Sequence, residues 1–135
     1  MIGEIDPIGP AETVKRVVLC TGKVYYDLLQ ERRDRGIMDV AIVRLEQIYP
    51  FPTRSLAKAL AYPNAEIVWC QEEPENNGAW SFVDRKIEAL LTETGHAKPR
   101  PIYVGRDTAA SPATGLAKVH AAQQADLVAR ALDVK

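Results

Sequence analysis

The pattern that decides the fold lies in Val17-Val18-Leu19-Cys20-Thr21-Gly22-Lys23-Val24-Tyr25-Tyr26-Asp27-Leu28-Leu29. A short apolar run, Val17 to Cys20, is followed by a polar loop and then by apolar residues at helical spacing, up to a stop at Gly36. Because consecutive positions of the run are apolar, both faces of the predicted strand are expected to be covered. The segment therefore predicts a strand, a loop and a helix, the first unit of a parallel sheet.

The same alternation repeats along the chain. Further strands are predicted at Val40 to Leu45, at Ile67 to Cys70 and at Pro101 to Val104. The helices between and after them are marked by Leu56 and Leu60 before Pro63, by Trp80, Val83, Ile87, Leu90 and Leu91 before Gly95, and by Leu116, Val119, Leu127 and Ala131. This order predicts an α/β fold with a mostly parallel sheet covered by helices on both sides.

Composition narrows the class of protein. A chain of 135 residues with 47% hydrophobic residues is predicted to form one domain, residues 14–135, after an irregular entry or linker at residues 1–13. The formal net charge of -1 provides no field that would attract nucleic acid or an anionic membrane. No apolar run reaches the roughly 18 residues of a membrane span, and Met1 to Ala11 is unlike a signal peptide, so an intracellular protein is expected.

Four polar loops follow the predicted strands, and in an open α/β sheet such loops form the functional edge. They are Thr21 to Lys23, Glu46 to Pro52, Gln71 to Trp80, and Gly105 to Gly115, with the small-residue turn Ser111-Pro112-Ala113-Thr114-Gly115. Thr21 to Lys23 opens a helix and either holds an anion or is a capping turn with a solvated Lys. Arg106 either binds phosphate or carboxylate, or pairs with Asp107, Glu72 or Glu73.

The other candidate residues indicate contact surfaces more than catalysis. Tyr49 and Phe51 either dock a partner or fold back onto their own helices, and the Gln71 to Trp80 loop is expected to be a docking surface or site. No catalytic residue is predicted. The adjacent Glu72 and Glu73 point to opposite sides of an extended chain, and the remaining candidates lack nucleophile or metal-ligand spacing: His96, His120, Cys20 and Cys70.

Four segments together resemble the C-terminal domain of the E1 component of 2-oxoglutarate dehydrogenase. They are Val17 to Leu28, Asp39-Val40-Ala41-Ile42-Val43-Arg44-Leu45-Glu46-Gln47-Ile48-Tyr49-Pro50-Phe51-Pro52, Gln71-Glu72-Glu73-Pro74-Glu75-Asn76-Asn77-Gly78-Ala79-Trp80 and Tyr103-Val104-Gly105-Arg106, and the similarity continues through Ser111 to Gly115 and His120. The resemblance covers the chain from about Thr13 onward.

This resemblance implies a transketolase C-terminal-like fold. Such a fold is a three-layer α/β/α sandwich of about five strands, four parallel and one short and antiparallel, the latter formed near Ile2 to Ile8. It also implies that the strand beginning near Lys15 is flanked by those beginning near Asp39 and Ala65. The topological switch then sets Thr21-Gly22-Lys23 beside Gln71-Glu72-Glu73, so two candidate motifs become one.

The family's reaction is oxidative decarboxylation of 2-oxoglutarate with thiamine diphosphate and Mg²⁺, followed by succinyl transfer to lipoyl on E2. This chain contains no Gly-Asp-Gly segment, so it is expected to bind no cofactor and to be inactive alone, with the catalytic residues upstream. The implied partners are the other E1 domains, a second E1 subunit and E2. The implied roles are contact, assigned to Glu72, Asn77, Trp80, Tyr49 and Phe51, and binding of acetyl-CoA or AMP, assigned to Thr21, Lys23, Gln71 and Arg106.

Two other classes of protein compete with this hypothesis. One is a standalone regulatory module that binds acyl-CoA or a nucleotide, and the other is a small α/β enzyme, for which no acid, base and nucleophile set is present. Within the family, E1 of 2-oxoadipate dehydrogenase is a close relative. The expected compartment is the bacterial cytoplasm, or the mitochondrial matrix for a eukaryotic source.

Overall fold

A computed structural model describes residues 1–111 and 115–134, so the predicted turn at Ser111 to Gly115 lies partly outside the described residues. The strands are β1 (Arg16–Cys20), β2 (Val40–Arg44), β3 (Glu66–Pro74) and β4 (Ile102–Arg106). The helices are α1 (Val24–Asp34), α2 (Thr53–Ala59), α3 (Trp80–Glu93) and α4 (Ala117–Leu132), and a short 3-10 turn (Ala11–Thr13) precedes β1. The predicted alternation of strands and helices is confirmed.

The strands form one parallel sheet in the order β2-β1-β3-β4. In this register Cys20 at the end of β1 lies between Arg44 of β2 and Cys70 of β3. The chain winds outward from β1 to β2 and then crosses back to the other side of β1. The topological switch therefore lies between β1 and β3, as the resemblance implied.

Helices cover both faces of the sheet, because alternate residues of each strand point to opposite sides. Val17 and Leu19 of β1 face a core built with α2 and α3. Val18 and Cys20 face a second core built with α1 and α4. The result is the predicted three-layer α/β/α sandwich. The antiparallel element expected near Ile2 to Ile8 consists of one bridge, between Ile2 and Arg44.

Strand β3 is longer than the sequence predicted. The sequence predicts a loop at residues 71–74, but β3 continues to Pro74, which pairs with Arg106 of β4 after a register shift. The prediction of a loop there is wrong because the side chain of Gln71, a polar residue, is taken into the interior and leaves only 1% of the residue exposed. Polar character alone did not reveal that burial.

Helix α4 also differs from the prediction. Leu127 and Ala131 are buried as expected, together with Val128 and Leu132. Leu116 lies before the helix and is 69% exposed, and Val119 in its first turn is 41% exposed. The prediction that Leu116 and Val119 line this helix together with Leu127 and Ala131 is wrong, because the buried residues of α4 all lie in its second half.

Candidate functional site

The switch point brings Lys23 and Glu72 together. Lys23 ends the loop after β1, and Glu72 lies on the extension of β3. The Lys23 Nζ is 2.5 Å from Glu72 Oε1, and the side chains are 70% and 21% exposed respectively. The hydrogen bond to Glu72 raises the pKa of Lys23 despite some desolvation. The expected juxtaposition of the two motifs is confirmed, and its centre is an ion pair open to solvent.

The loop before α1 does not use Thr21 as a cap. The residue in the N-cap position is Lys23, whose side chain makes no capping hydrogen bond, so the capping interpretation of Thr21 is wrong. Gly22 has a φ of +74°, a conformation that favours glycine, and this turns the chain from β1 into the helix. Thr21 is half-buried beside it.

Arg106 lies behind the ion pair with 8% of the residue exposed. Its guanidinium donates to the backbone carbonyl of Glu72, and to the side-chain oxygens of Gln123 at 3.1 Å and Gln124 at 3.0 Å. The expected alternative of an ion pair with Asp107, Glu72 or Glu73 is wrong, because in the part of the chain that the structure describes its acceptors are neutral. Arg106 thereby fastens β3 to α4.

A polar network extends from Arg106 across the layer. His120 Nδ1 lies 3.4 Å from Arg106 Nη2, and Gln124 Nε2 donates to Asp27 Oδ2 of α1 at 2.7 Å. Arg106 is a candidate from the sequence and His120 has no predicted catalytic role, whereas the sequence gives no signal for Gln124 or Asp27. Nothing in the sequence joins these residues, because their proximity depends on the packing of α1 against α4.

Gln71 is an interior residue, not an exposed contact. Its Oε1 accepts the Trp69 indole N–H at 2.9 Å and the Trp80 backbone N–H at 3.0 Å. Its Nε2 donates to the carbonyls of Glu73, Pro74 and Asn77. The structure thus places Gln71 between the end of β3 and the start of α3, with its amide bonded to protein and not exposed as the predicted ligand contact.

Residues 1–132 match the family described as 2-oxoglutarate dehydrogenase C-terminal. The chain belongs to this family. Its relatives include proteins named 2-oxoglutarate dehydrogenase E1 component from Brucella anthropi and Brucella ovis, each 53% identical over 120 residues, which is 88% of this chain and 12% of the relative. The resemblance found in the sequence motifs is confirmed, and the chain spans 12% of the length of these relatives.

The contact residues expected for this 2-oxoglutarate dehydrogenase C-terminal family member separate into exposed and interior groups. Tyr49 is 79% exposed, whereas Phe51 packs on the core with α2 and α3. Trp80 is 8% exposed and its ring lies 5.4 Å from that of Tyr103, so its side chain packs inside the domain and its assignment to the contact surface needs correction. Asn77 is half-buried at the turn before α3.

The loops after β3 and β4 of this family member bind each other. The Asn76 side chain donates to the Ala109 carbonyl at 3.0 Å and accepts the Ala109 N–H at 3.1 Å. Beside them is a cleft of about 250 Å³ lined by Pro74, Arg106, Asp107, Thr108, Ala109, Ser111 and Gln123. The cleft lies at the carboxyl edge of the sheet, and Arg106 forms part of its wall.

Thiamine diphosphate with Mg²⁺ is the cofactor that the resemblance implies for the longer E1 enzyme. Within residues 1–111 and 115–134, no cluster of three or more His, Cys, Asp or Glu side chains could hold a metal ion. Burial raises the pKa of the Cys20 thiol, and raises that of Cys70 to about 12, which opposes nucleophilic thiolate chemistry. In the same ranges no helix is long and apolar enough to cross a membrane.

Proposed function

We propose that this chain is the C-terminal domain of the E1 component of a 2-oxoglutarate dehydrogenase complex. The observation that carries the proposal is the family match over residues 1–132, with 53% identity to E1 components. The longer enzyme would decarboxylate 2-oxoglutarate with thiamine diphosphate and pass the succinyl group to lipoyl on E2, a step of the tricarboxylic acid cycle. Its partners would be the other E1 domains, a second E1 subunit and E2, in the cytoplasm of a bacterium.

The domain itself is proposed to be noncatalytic. The thiols of Cys20 and Cys70 are buried, and His120 is near Arg106 with no nucleophile among its described partners. The test compares the isolated chain with a longer polypeptide that includes the upstream domains, using 2-oxoglutarate and 2-oxoadipate as substrates. Succinyl transfer to lipoyl-E2 is expected only from the longer polypeptide. Turnover by the isolated chain would contradict a noncatalytic role, and preference for 2-oxoadipate would reassign the enzyme.

We also propose that the carboxyl edge binds an anionic regulator such as acetyl-CoA or AMP. The support is the exposed Lys23 ammonium, which lies in front of the α1 N-terminus and forms an ion pair with Glu72. The Glu72 backbone carbonyl accepts a hydrogen bond from Arg106, which fixes the position of this residue. Thr21 and Lys23 would contact phosphate, whereas Arg106 and Gln71 would position the loop and strand. A phosphate must displace the Glu72 carboxylate from Lys23, so weak binding is expected.

Calorimetry of the chain with acetyl-CoA and with AMP tests this site. Lys23→Ala is expected to weaken binding about tenfold, because it removes the exposed cation. Lys58→Ala, an exposed lysine on α2, is the matched control and should leave binding unchanged. The absence of heat at millimolar ligand, or an equal effect of both variants, would remove the proposal.

A further inference from the structure

The N-terminal segment lies along the outer edge of β2. Ile2 exchanges two backbone hydrogen bonds with Arg44, both 2.8 Å. Two residues further on, the Glu4 carboxylate accepts the Ile42 N–H at 2.8 Å, in the place where a strand carbonyl would be. The pairing runs antiparallel, because the partner number falls as the segment number rises. Residues 2–4 thus cover the free edge of the sheet.

Arg32 of α1 binds the acidic side chains of this segment. Arg32 is 2% exposed, and its guanidinium donates two hydrogen bonds to the Glu4 carboxylate, from Nη1 at 2.5 Å and from Nη2 at 2.8 Å. It also donates to Asp6 at 3.0 Å and to the Val40 carbonyl at 3.0 Å. Asp6 is held on its other side by the Arg33 guanidinium, through bonds of 2.8 and 2.7 Å.

Without this segment, two sets of polar groups at the site would lose their hydrogen-bond partners. Of the Arg32 bonds described above, only the one to Val40 would remain, and a buried guanidinium without an anion is strongly unfavourable. The N–H groups of Ile42 and Arg44 would also lose their acceptors, which leaves an open strand edge. An extended segment that carries carboxylates pairs with both the guanidinium and the N–H groups of the strand edge.

We propose that Arg32, Arg33 and the β2 edge at Ile42 and Arg44 form a recognition groove for an extended acidic segment with Glu-x-Asp spacing. Residues 2–6 occupy this groove in cis. A second segment of the same chemistry takes their place in trans once the cis contacts are weakened. Backbone pairing gives the groove its affinity for an extended chain, and the two arginines give it selectivity for the acidic spacing. The groove borders β2, away from the proposed regulator site between β1 and β3.

The test weakens the cis segment in the full chain with Glu4→Gln and Asp6→Asn together. Hydrogen exchange at the Ile42 and Arg44 amides is expected to accelerate about tenfold or more. A peptide with the sequence of residues 2–9, Ile-Gly-Glu-Ile-Asp-Pro-Ile-Gly, should restore protection, whereas the same peptide with Gln and Asn should not. Glu12→Gln, which removes an exposed carboxylate from the same region, should leave exchange unchanged.

Any of three results would contradict the proposed groove. The first is unchanged exchange in the double variant, and the second is equal binding of the acidic and neutral peptides to that variant. The third is binding of the acidic peptide to the wild-type chain as tightly as to the double variant. The amides of Val18 and Val68 in the central strands report on global unfolding. If they also lose protection, Glu4→Gln alone, which alters the side chain that accepts the Ile42 N–H, replaces the double variant and is judged by the same three results.

Discussion

At the scale of single residues, the buried side chain of Gln71 forms hydrogen bonds with five other residues. One primary amide accepts two N–H groups, from Trp69 and Trp80, and donates to three carbonyls at the turn after β3. Gly78 follows that turn with a φ of +67°, and a Cβ there would lie 3.0 Å from the Gln71 amide. Gln71 thus ties the end of the strand, the turn and the start of α3 into one unit.

Replacement of Gln71 tests this role. Gln71→Leu keeps the approximate volume but leaves the buried Trp69 indole N–H and several carbonyls without their partner. The free energy of unfolding is expected to fall by at least about 2 kcal/mol, since each unpaired buried group costs about 1 to 3 kcal/mol. Gln30→Leu on the exposed face of α1 is the control and should change it by less than about 0.5 kcal/mol. Urea unfolding measures both, and equal effects would contradict the role.

The candidate site was predictable only in part from its residues. The pairing of Lys23 with Glu72 follows from strand order, because loops after neighbouring parallel strands meet at one edge. The burial of Gln71 and Arg106 was not predictable, since polar residues after a strand are usually solvated. The contacts of Arg106 give the reason. It donates to Gln123 and Gln124 of α4, which lie 17 and 18 residues further along the chain, and no local sequence pattern predicts such a contact.

At the scale of elements, α4 is packed unevenly. The sequence pattern predicted apolar residues along its whole length, but its buried residues all lie in the second half, and Gln123 and Gln124 of the first half make polar contacts with Arg106. Leu127→Ala is expected to lower the free energy of unfolding by about 2 to 5 kcal/mol, because it leaves a cavity in the core. Val119→Ser should change it by less than about 0.5 kcal/mol. Chemical denaturation distinguishes the two, and a large loss in Val119→Ser would mean that the first half of α4 is packed in solution.

The N-terminal segment provides a second prediction at this scale, in its dependence on pH. The hydrogen bond from Arg33 lowers the pKa of Asp6 to about 2, against opposing desolvation and with further help from Arg32. A folded pKa below the unfolded value of about 4 means that the stabilisation is complete above pH 4 and is lost as pH falls through 2. The gap in unfolding free energy between wild type and Asp6→Asn should therefore be constant from pH 7 to about pH 5 and close near pH 2. A gap that is unchanged at pH 2 would contradict it.

At the scale of the whole molecule, the architecture followed from the sequence because its signals repeat. Each strand is apolar on consecutive positions, each is followed by a helix, and a parallel sheet with two covered faces is the arrangement that buries them all. The position of β1 between β2 and β3 came from the resemblance and not from the pattern, and the place of β4 beside β3 was not predicted. The resemblance implied an antiparallel element near Ile2 to Ile8, but the side-chain contact of Glu4 was not predicted, because its carboxylate replaces a strand carbonyl and leaves no strand-like pattern.

The proposed role in assembly gives a prediction about the longer E1 enzyme. Tyr49 lies on the loop after β2 with 79% of the residue exposed, and a rigid aromatic side chain in such a position is typical of a protein contact. Tyr49→Ala is expected to weaken E1 dimers by about tenfold or more, seen as dissociation at low concentration in sedimentation velocity. Met38→Ala removes a side chain of a residue that is 52% exposed at the opposite edge of the sheet and serves as the control. Equal sedimentation of the two variants and the wild type would place the subunit contact on another face of the domain.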